Sequence, residues 1–161
     1  NIIKLKVMFL ELRLMTFKSC GDCNMCCKLP EIPSIKKQSF EWCNNCDVGK
    51  GCKIYNDRPK KCKDFHCAYT LNFTELKPNK CGFFIFPENK DSYKEKVFTV
   101  YCEEHRLNNF VKNITNDRQM NNLLSDGWSF HIRYNQDDND LAIFDLERFG
   151  DSIKKVKRNN N

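Results

Sequence analysis

Nine of the eleven cysteines lie between Cys20 and Cys67, ordered Cys20-x2-Cys23-x2-Cys26-Cys27, then Cys43-x2-Cys46-x5-Cys52-x9-Cys62-x4-Cys67. No other feature restricts the fold as much. A two-residue spacer turns the backbone so that both thiolates reach one ion at about 2.3 Å, with nearby amides able to face the sulfurs. One such pair is a weak signal. Two groups containing the spacing, with Cys52, Cys62 and Cys67 close behind, point to thiolate-bound metal. Disulfide pairing would need an oxidising compartment and would leave one of the nine over. Free thiols used as core filler would sit poorly among the surrounding lysines and asparagines.

The redox setting follows from the start of the chain. Its longest uncharged apolar stretch is Val7 to Leu10, against the roughly 7–15 residues of a secretory core. The expectation is an N-terminal arm, residues 1–17, with residues 1–14 partly upstream of the true start, and a cytoplasmic protein. No apolar run approaches the roughly 18 residues that a membrane span needs.

Residues 18–70 are rich in Cys, Lys, Pro and Gly and poor in aliphatics. Such a module buries little apolar surface, and metal coordination is the usual substitute for a core. Zinc favours closed four-thiolate sites, and eight of the nine cysteines could fill two. Adjacent Cys26 and Cys27 direct their side chains differently, which suits two centres; a thiolate bridging two metals is the other option. Iron–sulfur is the rival, since Cys20-x2-Cys23-x2-Cys26 copies the opening of a ferredoxin run. The x3-Cys-Pro continuation is missing, however.

Charge agrees with a thiolate centre. Of the net +6, residues 18–67 carry +4 and residues 68–161 are neutral. Two zinc ions held by eight thiolates would cancel that excess. The dispersed charge argues against a nucleic-acid reader, which concentrates cations on one face. Asp57-Arg58-Pro59 reads as a helix start with Asp57 as cap, placing Cys62 and Cys67 on or just after a short helix. Arg58 is then available to neutralise the sulfurs from outside the ligand shell. His66, beside Cys67, is expected to point away, and His105 and His131 stand isolated. Cys81 and Cys102 read as buried thiols at strand ends. The acidic turn at residues 137–140 lacks calcium-loop spacing.

Residues 71–153 read as ordinary α+β. Residues 82–86 and 96–102 are aromatic and β-branched, forming a hairpin across the polar connector 87–94. Leu107, Phe110, Val111, Ile114, Leu123 and Leu124 form a helical stripe interrupted near residues 115–118 and ended by Gly127. Trp128, Phe130, Ile132 and Tyr134 alternate with polar residues as a half-buried strand, and residues 141–144 make another. The expected fold is therefore α+β: an irregular, metal-organised cysteine-rich half packed on a small antiparallel sheet with one main helix. Residues 154–161 read as a basic, disordered tail.

The run Ser19-Cys-Gly-Asp-Cys-Asn-Met-Cys-Cys27, with Gly51-Cys-Lys-Ile-Tyr-Asn-Asp-Arg-Pro-Lys-Lys-Cys62 and Phe65-His-Cys67, resembles the CxxCxxCC cysteine-cluster family. These YkgJ-like bacterial proteins are described as zinc- or iron-chelating domains. The likeness covers about residues 18–86. It implies Cys20, Cys23, Cys26, Cys27, Cys43, Cys52, Cys62 and Cys67 as ligands, with Cys46 an addition that resembles a subgroup having a paired cysteine there. No reaction is established for the family. An earlier link to flagellin lysine methylation gains nothing here, because no glycine-rich nucleotide turn follows a strand. The resulting expectation is a metal-binding protein with structural zinc. The alternatives are an iron–sulfur redox protein or enzyme, a protein- or nucleic-acid-binding module with structural zinc, and a metal store or carrier.

Overall fold

The computed structural model describes residues 17–87, 94–136, 140–145 and 154–157. The arm at residues 1–16, most of the connector 87–94 and the centre of the acidic turn at 137–140 lie outside the described residues.

As its composition dictates, the cysteine-rich half contains only short elements. Helix α1 (Met25–Lys28) is followed by a minimal hairpin of β1 (Cys46–Asp47) and β2 (Gly51–Cys52), then helix α2 (Lys60–Lys63). Asp57 does not cap α2. Pro59 occupies the N-cap position, and no side chain caps that end. Cys62 lies within α2 and Cys67 four residues beyond it.

Helix α3 (Pro78–Cys81) ends at Gly82, whose left-handed φ of 83° a side chain would resist. Gly82 is thus a helix cap rather than part of the next strand. β3 (Phe83–Phe86) and β4 (Val97–Cys102) pair antiparallel with Phe83 opposite Cys102, as the aromatic pattern predicts. The chain then forms α4 (Leu107–Asn116) and α5 (Arg118–Ser125). These are two helices rather than one main one. Asp117 breaks the run with an extended backbone, and its carboxylate accepts from the Met120 N–H at 2.9 Å and from Thr74 Oγ1 at 2.9 Å.

β5 (Ser129–Arg133) joins β4 in parallel, with Val97 opposite Ser129. This corrects the all-antiparallel expectation. Parallel neighbours need a long crossover, and α4 with α5 supplies it. β6 (Asp140–Phe144) and β7 (Lys154–Lys157) add antiparallel, giving the order β3-β4-β5-β6-β7. The basic stretch read as a disordered tail therefore contributes an edge strand, its backbone paired with β6. Among the described residues no helix is long and apolar enough to cross a membrane.

Alternation along β3 and β4 sorts two apolar layers. Phe83, Ile85, Phe98 and Val100 join Phe110, Ile114, Met120 and Leu124 of the helices, with Phe130, Ile132 and Phe144 from the neighbouring strands. Phe84 and Tyr101 point the other way and pack with Leu29 and Cys67, edged by Met25, Phe40, Phe65, Tyr69 and Phe86. Their rings interlock: Phe84 lies 5.4 Å from both Tyr101 and Phe65, stacked on the first and edge-on to the second. The cysteine-rich half thus has an aromatic seam with the back of the sheet. The expectation that metal alone must organise it overlooked a core borrowed from another part of the chain.

Candidate metal centre

Each cysteine-bearing segment is held by local backbone bonds. The Cys23 N–H donates to the Cys20 carbonyl at 3.1 Å, closing the first C-x2-C turn, and Gly21 takes φ 56° within it. Buried Asn24 precedes α1; its carbonyl accepts from the Cys27 N–H at 2.8 Å and its side-chain oxygen from the Gly49 N–H at 2.8 Å. That side chain ties α1 to the β1–β2 hairpin. The Cys43 N–H donates to the Cys27 carbonyl at 2.9 Å, and the Cys46 N–H to the Cys43 carbonyl at 2.9 Å, making the second C-x2-C turn. Cys46 and Cys52 face each other across the hairpin.

Four stretches of the chain therefore converge. Cys20, Cys23, Cys26, Cys27, Cys43, Cys52 and Cys62 line one cleft of about 780 Å³. Cys46 and Cys67 do not line it, yet both interact with cysteines that do. All eleven cysteines are unpaired. Among the described residues, no three Cys, His, Asp or Glu side chains are gathered closely enough to hold a metal ion.

Burial and neighbouring sulfurs raise several of these thiols. Burial pushes the Cys20 thiol up, and the charges of Cys67 and Cys23 add to that. Burial likewise raises Cys23, opposed by the backbone N–H groups of Met25 and Asn79 that face its sulfur. Cys27 is raised first by its interaction with Cys26 and next by burial, while Cys46 works the other way. Burial takes Cys46 up to about 12, helped by Cys27, Cys43 and Cys52. Cys62 is raised by burial and then by Cys27, Cys43 and Cys52. Crowded, partly desolvated sulfurs hold their protons until a cation offsets the repulsion.

Cations stand around these thiols. Arg58 lines the cleft, stacks 3.7 Å above the Tyr55 ring and donates from Nε to the Tyr55 carbonyl at 2.7 Å. Its charge favours the thiolates of Cys20 and Cys62. Lys77, bonded to Asp22 at 2.7 Å, does the same for Cys20 and Cys23. Lys37 is 6% exposed, and its ammonium donates to the Lys28 carbonyl at 2.5 Å and to the Pro30 carbonyl. Burial lowers it to about 8, opposed first by Cys43 and then by Cys27 and Cys26. Nothing in Lys36-Lys37 marks one lysine as buried, so Lys37 was beyond sequence reading.

His66 stacks on Phe17, ring centroids 4.4 Å apart. Cys81 closes α3 and Cys102 ends β4; both are buried, and burial takes each up to about 12. Comparison of the chain with protein-family models, curated proteins and solved structures finds no match.

Proposed function

We propose that this is a metal-binding cysteine-cluster protein whose N-terminal half closes around structural zinc. The observation that carries the reading is the convergence of cysteines from four separated stretches on one cleft, with Arg58, Lys77 and Lys37 placed beside them. The donors fit the ion chemically: all are soft thiols, and cations already face them. The described sulfurs do not form a closed set, so binding would draw them inward and release their protons, coupling metal uptake to ordering of this half. The likeness to the CxxCxxCC family points the same way, and it makes the neighbouring cations supports for the ligands rather than a nucleic-acid surface. A zinc site closed by four sulfurs leaves no position for a substrate, so the role is architectural rather than catalytic.

Metal quantification and an absorption spectrum on anaerobically purified full-length protein test this. The expected result is a colourless protein holding zinc. A brown protein with iron and acid-labile sulfide would replace zinc with an iron–sulfur cluster. Protein that binds neither metal, even after reconstitution, would end the proposal.

A further inference from the structure

Cys46 closes a C-x2-C turn but does not line the cleft, and strand register sets it directly opposite Cys52, which does. The kind of pairing matters. Along an antiparallel ladder, hydrogen-bonded pairs alternate with pairs that lie between the bonds. The Lys53 N–H donates to the Asn45 carbonyl at 2.8 Å, so residues 45 and 53 are a bonded pair and Cys46 and Cys52 are the unbonded pair beside them. At such a pair the Cα atoms approach to about 4.5 Å and both side chains stand on one face of the ladder. A disulfide needs a Cα separation of about 4.4–6.8 Å, with both side chains turned toward each other. The geometry of the hairpin meets the first demand and favours the second.

The register is held from both sides. The Lys50 N–H closes the turn onto the Asp47 carbonyl at 2.9 Å, and the Gly49 N–H is anchored to the Asn24 side chain at 2.8 Å. Access is open as well: both cysteines are partly exposed, and a Cβ added at Gly49 or Gly51 would meet nothing within 4 Å. The nearby thiols are less well placed. Cys43 is buried, at 8% exposure. A turn brings the backbones of Cys20 and Cys23 together, without the common face that a strand pair gives its side chains.

We infer that Cys46 and Cys52 are an oxidative modification site, a thiol pair that hydrogen peroxide converts to a cross-strand disulfide and a dithiol reductant restores. One sulfur, as its thiolate, attacks a peroxide oxygen; the O–O bond breaks, a sulfenic acid forms, and the departing hydroxide leaves as water with the thiol proton. The second sulfur then displaces the sulfenic hydroxyl, forming the S–S bond and releasing a second water. The two sulfurs together give up the two electrons that the peroxide takes. Partly exposed disulfides are the readily reduced ones, so the step reverses. The inference goes beyond the metal-binding reading and needs no ion, although the disulfide would remove Cys52 from the thiols lining the cleft.

The test is peptide mapping by mass spectrometry. Full-length protein purified anaerobically is treated with equimolar hydrogen peroxide, quenched with an alkylating reagent and digested with trypsin. Cleavage after Lys50 and Lys53 puts Cys52 on a peptide of its own, and fragmentation of its partner peptide separates Cys46 from Cys43. The expected result is a Cys46–Cys52 disulfide as the first to form, with loss of both alkylation sites and their return after dithiothreitol. In Cys52→Ser, Cys46 should stay reduced and alkylate at the same dose. A first disulfide at Cys20–Cys23 or Cys43–Cys46, or sulfinic acid at Cys52 in place of a disulfide, would overturn the inference. So would Cys46 in Cys52→Ser joining another cysteine as readily as it joins Cys52 in the wild type. Metal content measured on the same samples keeps the two readings apart. Zinc-loaded protein whose pair stays reduced overturns the pair and leaves the metal centre standing; zinc-free protein that forms the disulfide supports the pair without it.

Discussion

Truncating Phe84 to alanine separates what the aromatic seam contributes from what metal contributes. The ring is 2% exposed and meets Tyr101, Phe65 and Phe86 at centroid distances of 5.4, 5.4 and 5.5 Å, with Leu29 and Cys67 in the same cluster. Loss of a fully buried phenyl ring costs about 3–5 kcal/mol, including about 0.5–1.5 kcal/mol for each well-placed aromatic neighbour. Phe83 and Ile85 face the helices, so the substitution leaves that layer untouched. The loss should therefore fall on the attachment of the cysteine-rich half. At about 3 kcal/mol, its open fraction rises on the order of a hundredfold. Hydrogen exchange on chelator-treated protein reads this directly. The Phe40 amide, bonded to Leu29, and the Cys43 amide, bonded to Cys27, should be protected in the wild type and exchange about a hundredfold faster in Phe84→Ala. The amides of β5 should change far less. If the metal-free wild type already exchanges at these positions as an unfolded chain does, metal alone holds this half, and the seam argument is wrong.

Two further outcomes are expected. Gly82→Ala places a methyl at φ 83° and 3.2 Å from Arg106 Cδ; urea unfolding should show a loss of about 1–2 kcal/mol, and an unchanged midpoint would contradict the capping role. The buried Cys81 and Cys102 thiols sit near 12 in the fold, raised above their ordinary value of 9.0 by burial first. Cys23 and Cys67 add to the shift at Cys81; at Cys102, Cys81 and Glu103 add to it while Arg106 opposes it. The unfolded chain loses these protons first, so their stabilisation is complete below pH 9 and lost as pH climbs toward 12. Metal-free protein should therefore weaken above pH 9, by up to about 1.4 kcal/mol per pH unit for each thiol. A Cys81→Ala/Cys102→Ala variant whose urea stability falls just as steeply would refute the assignment.

Features set within a few residues could be read from the chain itself. The C-x2-C turns form because their spacing closes a local hydrogen bond, and Asp117 interrupts the helical stripe because its side chain competes for the next helix's amides. The β3–β4 hairpin follows from two aromatic and β-branched runs around a polar connector. One readable signal was missed: Phe83-Phe-Ile-Phe86 is apolar on both faces, which marks a strand covered on both sides. A layer packed behind the sheet was implicit there.

The remaining features depend on residues distant in sequence, which local pattern does not rank. The parallel β4–β5 pairing and the edge strand at Lys154–Lys157 arise from competition among strands for partners. Lys37 differs from Lys36 only in what the chain folds over it. The cysteine spacing establishes which sulfurs can share a turn, because that is backbone geometry over a few bonds. Which turns meet around one cleft is decided by how α1, α2 and the small hairpin dock together, for only the assembled chain brings those surfaces within range.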